Sequence, residues 1–236
     1  MVGPHQEIRI KDILEFLLIL RLGHTPFMNQ TSLFEIDIKQ AKLNRLPKDG
    51  SVYYQSAFMD VESSAQFMHH LQHSIPWEAD QLILFGKKIT TRRKVAWVGD
   101  PQCTYTYSGV KKEPRAWTPE LLVIKDRMEE LAHAKFNSCL LNFYHDGEDG
   151  MGWHSDDEKE LDSQSPIASL SLGATRKFAF KHKQDKTTST LLLENGSALV
   201  MHPPTQEFWK HALLKTKTID SPRINLTFRK MKLHHA

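Results

Sequence analysis

The pair His154 and Asp156, separated by Ser155, follows the glycine-rich turn Gly147 to Gly152. In extended backbone the side chains at i and i+2 point to one side, so an imidazole and a carboxylate can reach the same cation. With 13 histidines in the chain, about one such spacing arises by chance, and the pair needs a third ligand. His182, His202 and His211 are the candidates. His211 is favoured because it follows Trp209-Lys210 in a strand-like stretch. Its distance from the pair is also what a folded-over sheet needs to return to its start. His202 stands before Pro203-Pro204 and reads as a turn residue. Two histidines and one carboxylate on one face of an ion leave other positions open for small reactants.

A second pattern is a strand with a polar face. Along 223–229, Arg223, Asn225, Thr227 and Arg229 alternate with Ile224, Leu226 and Phe228. Asn142 and Tyr144 likewise share a face, opposite Leu141 and Phe143. Antiparallel sheets ordinarily turn such faces to water. The alternative is a barrel interior in which two arginines, each a fixed fork of donors, hold the carboxylates of a small dianion. The His/Asp set by itself fits a non-haem Fe(II) oxygenase, a zinc hydrolase with an open position, or ordinary surface histidines. A hydrolase needs no internal clamp for a dicarboxylate, whereas an oxygenase that consumes 2-oxoglutarate does.

These residues must be positioned by helices early and strands late. Residues 62–73 read as a helix with Phe67, His70 and Leu71 on one side, ended by Pro76. Residues 119–133 read as a second, with Thr118 as N-cap, Pro119 in the first turn and a stripe of Leu121, Leu122, Ile124, Met128 and Leu131. Strands are expected at 81–85, 94–98, 103–107, 138–144, 166–172, 176–182, 189–193, 197–202 and 223–230, with turns at Asp146-Gly147, Asp149-Gly150 and Asn195-Gly196. That order suggests an α+β protein built on a β-sandwich or barrel.

The chain has 236 residues, 31 Lys+Arg and 28 Asp+Glu, for a net charge of +3. Eight of the acids and one base, Lys159, lie between Asp146 and Asp162. The rest therefore carries 30 basic and 20 acidic residues, a balance of +10. Five basic runs, Lys87-Lys88, Arg92-Arg93-Lys94, Lys111-Lys112, Arg176-Lys177 and Lys181-His182-Lys183, make a nucleic-acid face credible. Two cysteines exclude a disulfide framework and favour a reducing compartment. The longest apolar run, Ile13 to Leu22, is short and interrupted by Glu15 and Arg21, so no membrane span is expected, nor a secretion signal. A monomer in the cytoplasm, nucleoid-associated when acting on DNA, is the expectation. Residues 1–27 read as an extension outside the core fold, with Met28 an alternative start, and 28–236 as one domain.

Together the motifs resemble the AlkB-type 2-oxoglutarate- and Fe(II)-dependent dioxygenases. The resemblance rests on Leu140-x-Asn142-x-Tyr144, His154-x-Asp156-Asp157-Glu158, Ser169 to Arg176, Thr205-Gln206-x-x-Trp209-x-His211 and Arg223-x-Asn225-Leu226-Thr227-Phe228-Arg229. Phe85-Gly86-Lys87 and Tyr105 to Gly109 extend it upstream, and it covers roughly residues 45–231 in the family's order. The segment Met201 to Thr205 departs from it by lacking a glycine before Thr205. The resemblance implies a double-stranded β-helix (jelly roll) with a core at about 136–231, N-terminal helices, and a nucleotide-recognition lid at about 80–112. It implies Fe(II) on His154, Asp156 and His211. It implies 2-oxoglutarate held by Leu140, Asn142, Tyr144, Arg223, Asn225 and Arg229, with O2 as the other co-substrate. Tyr107 and Tyr105, Asp157, Glu158, Arg93 and Arg176 would serve the substrate, and Phe85 could wedge into a duplex. The implied reaction is oxidative demethylation of 1-methyladenine- or 3-methylcytosine-type bases in DNA or RNA, releasing formaldehyde, succinate and CO2; the alternative is another substrate of the same chemistry, such as modified RNA or a protein.

Overall fold

The computed structural model describes residues 43–84, 87–107 and 110–233, with backbone alone at 80–84, 87–89, 105–107 and 110–112. The expected extension 1–27, the alternative start Met28 and the wedge residue Phe85 lie outside the described residues. The elements in chain order are β1 (Ser51–Gln55), α1 (Val61–Ser74), β2 (Glu78–Leu84), β3 (Lys87–Gly99), β4 (Tyr105–Tyr107), β5 (Val110–Lys112), α2 (Pro119–Ala132), β6 (Ser138–Tyr144), β7 (Met151–His154), β8 (Ile167–Gly173), β9 (Arg176–His182), β10 (Thr188–Leu193), β11 (Ser197–His202), α3 (Thr205–Phe208), β12 (Trp209–Leu213) and β13 (Arg223–Arg229).

Seven strands form one sheet in the order β1-β11-β8-β13-β6-β3-β2, and four form a second, β10-β9-β12-β7. The hairpin β4-β5 stands apart. The ladders within both sheets run antiparallel, and the two sheets make a jelly roll. Within the span expected for the lid, residues 94–99 of β3 pair with β6 in the large sheet.

Two apolar layers follow from strand alternation. Outward-facing Cys139, Leu141, Phe143, Ala168, Leu170, Leu172, Ile224, Leu226 and Phe228 are buried beneath the two long helices. α1 contributes Phe67 and Leu71, and starts where the Asp60 carboxylate accepts from the Ser63 amide (2.8 Å). α2 starts at Thr118, whose hydroxyl accepts from the Leu121 amide. Its buried stripe is Leu121, Ile124, Met128 and Ala132; the expected Leu122 is instead 41% exposed. Burying one such large apolar side chain stabilises by about 1.5–3 kcal/mol. Between the sheets, Val52, Ile167, Phe180, Leu199, Trp209 and Leu213 form the second layer.

The polar face of β13 does not meet water. Arg223 (2% exposed), Asn225, Thr227 and Asn142 are all buried between the sheets, while Ile224, Leu226 and Phe228 fill the outer layer. The ordinary antiparallel arrangement is therefore overturned, because helices cover one face of the large sheet and the small sheet covers the other.

Candidate active site

The interior polar face is a ladder of donors and acceptors. In register, Arg223 lies beside Tyr144 and Gly173, Asn225 beside Asn142 and Ser171, and Thr227 beside Leu140 and Ser169. Arg223 Nη2 donates to Ser171 Oγ and to Asn225 Oδ1 (both 2.9 Å), and its guanidinium lies 5.4 Å from the Tyr144 ring centroid. Ser169 Oγ donates to Asn225 Oδ1 (2.8 Å), and Asn225 Nδ2 donates to Thr227 Oγ1 (2.7 Å). These bonds hold Asn225 rigid, and Arg223 Nε, Arg229 Nε and Asn142 Oδ1 are buried without a hydrogen-bond partner among the described residues. Buried polar atoms are normally paired, so this wall is built for a polar, anionic guest. Burial lowers the Arg223 pKa to about 10, with Tyr144 opposing the shift, so the residue remains a cation at neutral pH. Ser169 and Ser171 carry no expected role from spacing; their alternation with Ala168, Leu170 and Leu172 was the available signal.

The metal pair and its third member converge beside this wall. His154 ends edge strand β7, and His211 lies opposite it on β12. One ligand atom each from His154, Asp156 and His211 lies within 4.8 Å of the others. The two histidine Nε2 atoms stand 3.8 and 3.9 Å from the Asp156 carboxylate, too far for hydrogen bonds. The donors suit a divalent cation. His154 Nδ1 lies 2.9 Å from Gly152 O; as the N–H donor there, it leaves Nε2 with its lone pair toward Asp156. Burial pulls the His211 pKa down to about 4, against the pull of Asp156, so its imidazole is neutral. Burial would raise the Asp156 pKa, but the Arg229 guanidinium beside it, first among the influences that act the other way, holds the carboxyl below its ordinary range. Arg229 Nη2 donates to Asp156 Oδ1 (2.6 Å), and the Asp156 amide donates to Gln206 Oε1 (3.0 Å). Gln206 is thus a positioning residue that spacing alone did not single out.

The other expected residues separate. Glu158 is exposed with Oε1 4.0 Å from Arg229, and Asp157 pairs with Lys183 (3.5 Å). Both line a groove of about 690 Å3 that also reaches Asp156 and Arg229. Tyr105 and Tyr107 fall on β4, paired to β5; their side chains lie outside the described residues. Arg93 is buried and donates to Met151 Sδ (3.3 Å), just before the metal pair, rather than standing in the groove.

Arg176 requires a correction as a substrate-binding residue. It is 1% exposed, and its guanidinium donates to the carbonyls of Asp146, Gly147, Asp149 and Leu214 at 2.7–3.0 Å. It ties the turn that leads into β7. Arg176→Met would leave four inward carbonyls short of a donor, costing about 3 kcal/mol or more. Thermal unfolding should show the loss, and weaker Fe(II) binding should accompany it; an unchanged Tm would remove this role.

The depressed His211 pKa also sets a pH dependence. Below its ordinary value of 6.5 the unfolded chain takes a proton that the folded state refuses until about pH 4. Stability is therefore full above 6.5 and falls as pH drops through that window. Urea titrations of metal-free protein at pH 7 and pH 5 should differ by on the order of 2 kcal/mol, and His211→Asn should flatten the difference.

A jelly roll with two histidines and a carboxylate beside a buried arginine wall has the layout of the non-haem Fe(II) oxygenases that consume 2-oxoglutarate. Residues 51–229 match the 2OG-Fe(II) oxygenase superfamily. A mouse protein named DNA oxidative demethylase ALKBH2 is 39% identical over 207 residues, covering 83% of this chain and 86% of that protein. The mouse alpha-ketoglutarate-dependent dioxygenase alkB homolog 3 is 33% identical over 223 residues, 90% of this chain and 75% of that protein. The solved structure of OsALKBH1 superposes with a TM-score of 0.54 at 17% identity, over 78% of this chain and 99% of that one, a likeness of fold. The chain belongs to the 2OG-Fe(II) oxygenase superfamily and, within it, to the AlkB-type enzymes. Its metal and co-substrates are accordingly Fe(II), 2-oxoglutarate and O2. Among the described residues no helix is long and apolar enough to cross a membrane.

Proposed function

We propose that this chain oxidatively removes N-linked alkyl groups from bases of the 1-methyladenine and 3-methylcytosine type in DNA, with RNA as a second substrate. Formaldehyde, succinate and CO2 are the products. The observation that carries the reading is the junction of the His154–Asp156–His211 cluster with the Arg223–Asn225–Ser171 wall, in a chain alignable along most of its length with a named DNA oxidative demethylase.

Bound Fe(II), with 2-oxoglutarate as electron donor, would activate O2, the oxidant that hydroxylates an N-methyl carbon; one oxygen atom would go to that carbon and the other to succinate. The chain's residues do the remaining work. Arg223 and Arg229, with Asn142, Tyr144 and Asn225, would hold the two carboxylates of 2-oxoglutarate; Leu140 would pack beside it. The Gly152 carbonyl fixes the His154 ring. The base must leave the stack, at a cost of a few kcal/mol, less for a base already unpaired by methylation. Stacking on Tyr107 would return about 1–3 kcal/mol. Glu158, exposed at the groove, and Asp157 would favour a base that carries positive charge, and Tyr105 would help to place the nucleotide.

The test supplies Fe(II), 2-oxoglutarate and O2 with methylated oligonucleotides. Formaldehyde release that requires all three supports the reading. Succinate release that no methylated oligonucleotide stimulates would move the activity to another substrate, and activity with zinc in the absence of 2-oxoglutarate would falsify it.

A further inference from the structure

Strand alternation splits the basic runs of β9 by face. Arg176 and His182 point between the sheets with Phe180 and are buried, whereas Lys177 is exposed and Lys181 half-buried on the outer face. β12 repeats the split: Trp209 and His211 turn inward, and exposed Lys210 turns outward, in register with Lys181. The next outward positions are uncharged: Ala179 on β9, Ala212 on β12, and Thr188, Thr190 and Leu192 on β10. The outer face of the small sheet thus carries lysines and no carboxylate. Among the described residues no ion pair engages Lys177, Lys181 or Lys210. On edge strand β7, Trp153 is 41% exposed, and Lys181 Nζ lies 5.8 Å from its ring centroid. Trp153 immediately precedes the metal-cluster residue His154.

We propose that this outer face is a second nucleic-acid contact, holding single-stranded chain beyond the reacting nucleotide. Phosphates would lie on Lys177, Lys181 and Lys210, and one base would stack on Trp153. The occupant follows from charge and shape. Unpaired lysines on an acid-free surface call for a polyanion. An exposed indole beside them offers a stacking plane that a base can use only when its face is free, as in a single strand. Lys177 and Lys181 lie four residues apart, about 13 Å along the strand, so the row spans more than one phosphate. A chain whose base enters beside His154 reaches this face by passing the β7 edge. The inference rests on the nucleic-acid reading above.

The test compares full-length protein with Lys177→Glu/Lys210→Glu and with Trp153→Phe. Probes are an undamaged and a methylated single strand of about 15 nucleotides, long enough for such a track, and a methylated trinucleotide. The lysine double variant should raise KM for the long methylated strand about tenfold and make the log–log salt dependence of binding shallower by about 1–2. Its kcat/KM on the trinucleotide and its Tm should not change. Undamaged strand should quench tryptophan fluorescence in the parent protein, and the quench should shrink in Trp153→Phe. Unchanged KM and salt slope in the lysine variant, or full quenching in Trp153→Phe, overturns the proposal. If no methylated substrate reacts at all, the demethylase reading fails, while the binding and fluorescence arms still decide this one.

Discussion

Replacing Asp156 with alanine is expected to lower kcat/KM for formaldehyde release by about 1000-fold or more while the fold persists. Groups that only orient metal ligands typically contribute 10–100-fold in affinity or activity, and a ligand itself contributes more. Asp156 is the sole carboxylate of the cluster; without it the cation would meet imidazoles alone, His211 being held neutral by burial. The same substitution removes the partner of Arg229 Nη2, leaving that arginine near Glu158 at 4.0 Å. Removing one member of a buried pair costs about 3–5 kcal/mol, discounted here because Arg229 keeps a 14% exposed side chain and the Glu158 carboxylate. Asp156→Asn separates the effects, since it keeps the volume but not the charge. Binding of a divalent metal should collapse in both variants, and circular dichroism should stay close to the parent. Turnover above one-tenth of the parent in Asp156→Ala would sink the metal role.

The metal pair was legible because its chemistry is local: two residues and one spacing, with His154 at the end of β7 and Asp156 two residues on. His211 was legible because strand parity carries it to the side of Trp209, and the register of β12 with β7 places it opposite His154. The polar face of β13 was visible, but not what it faces. One strand's alternation separates two sides and says nothing of what covers them, and here helices and a second sheet cover both. The acidic segment shows the same limit. Its eight acids count as a charge excess. In the fold Asp146 and Glu148 meet Arg92, Asp157 meets Lys183, Asp162 meets Lys230, and Asp149 is buried against His145. Composition records charges and not partners. Where side chains are described, the basic runs divide by face: Arg93, Arg176 and His182 are buried, while Arg92, Lys94 and Lys177 are exposed. The short strands β1, β5 and β7 were missed, β5 only three residues long. Such short segments carry too few alternations to register.

Arg223→Met should weaken 2-oxoglutarate binding by roughly 100-fold, seen as a raised KM for 2-oxoglutarate with a much smaller change in kcat. Methionine approximates the length of the side chain but offers no donors. A buried charge-assisted pair that loses one partner costs 2–5 kcal/mol or more, and about 2.7 kcal/mol is 100-fold. The split between KM and kcat follows from position. Arg223 opens β13 at Tyr144 and Gly173, while the metal cluster adjoins Arg229 at the strand's other end. The far arginine would therefore govern how tightly the co-substrate is held, and the near one how it meets the metal. Arg223→Lys keeps the charge without the planar fork that bonds both Ser171 and Asn225. It should recover part of the affinity, and calorimetry with a redox-inert metal would rank parent, lysine and methionine in that order. Stability moves the other way in part, because Arg223 has its own burial cost. Its loss frees Ser171 Oγ and Asn225 Oδ1, yet Ser169 still donates to Asn225. Equal 2-oxoglutarate affinity in parent and Arg223→Met would take the dicarboxylate away from this wall and leave the buried ladder as a structural feature alone.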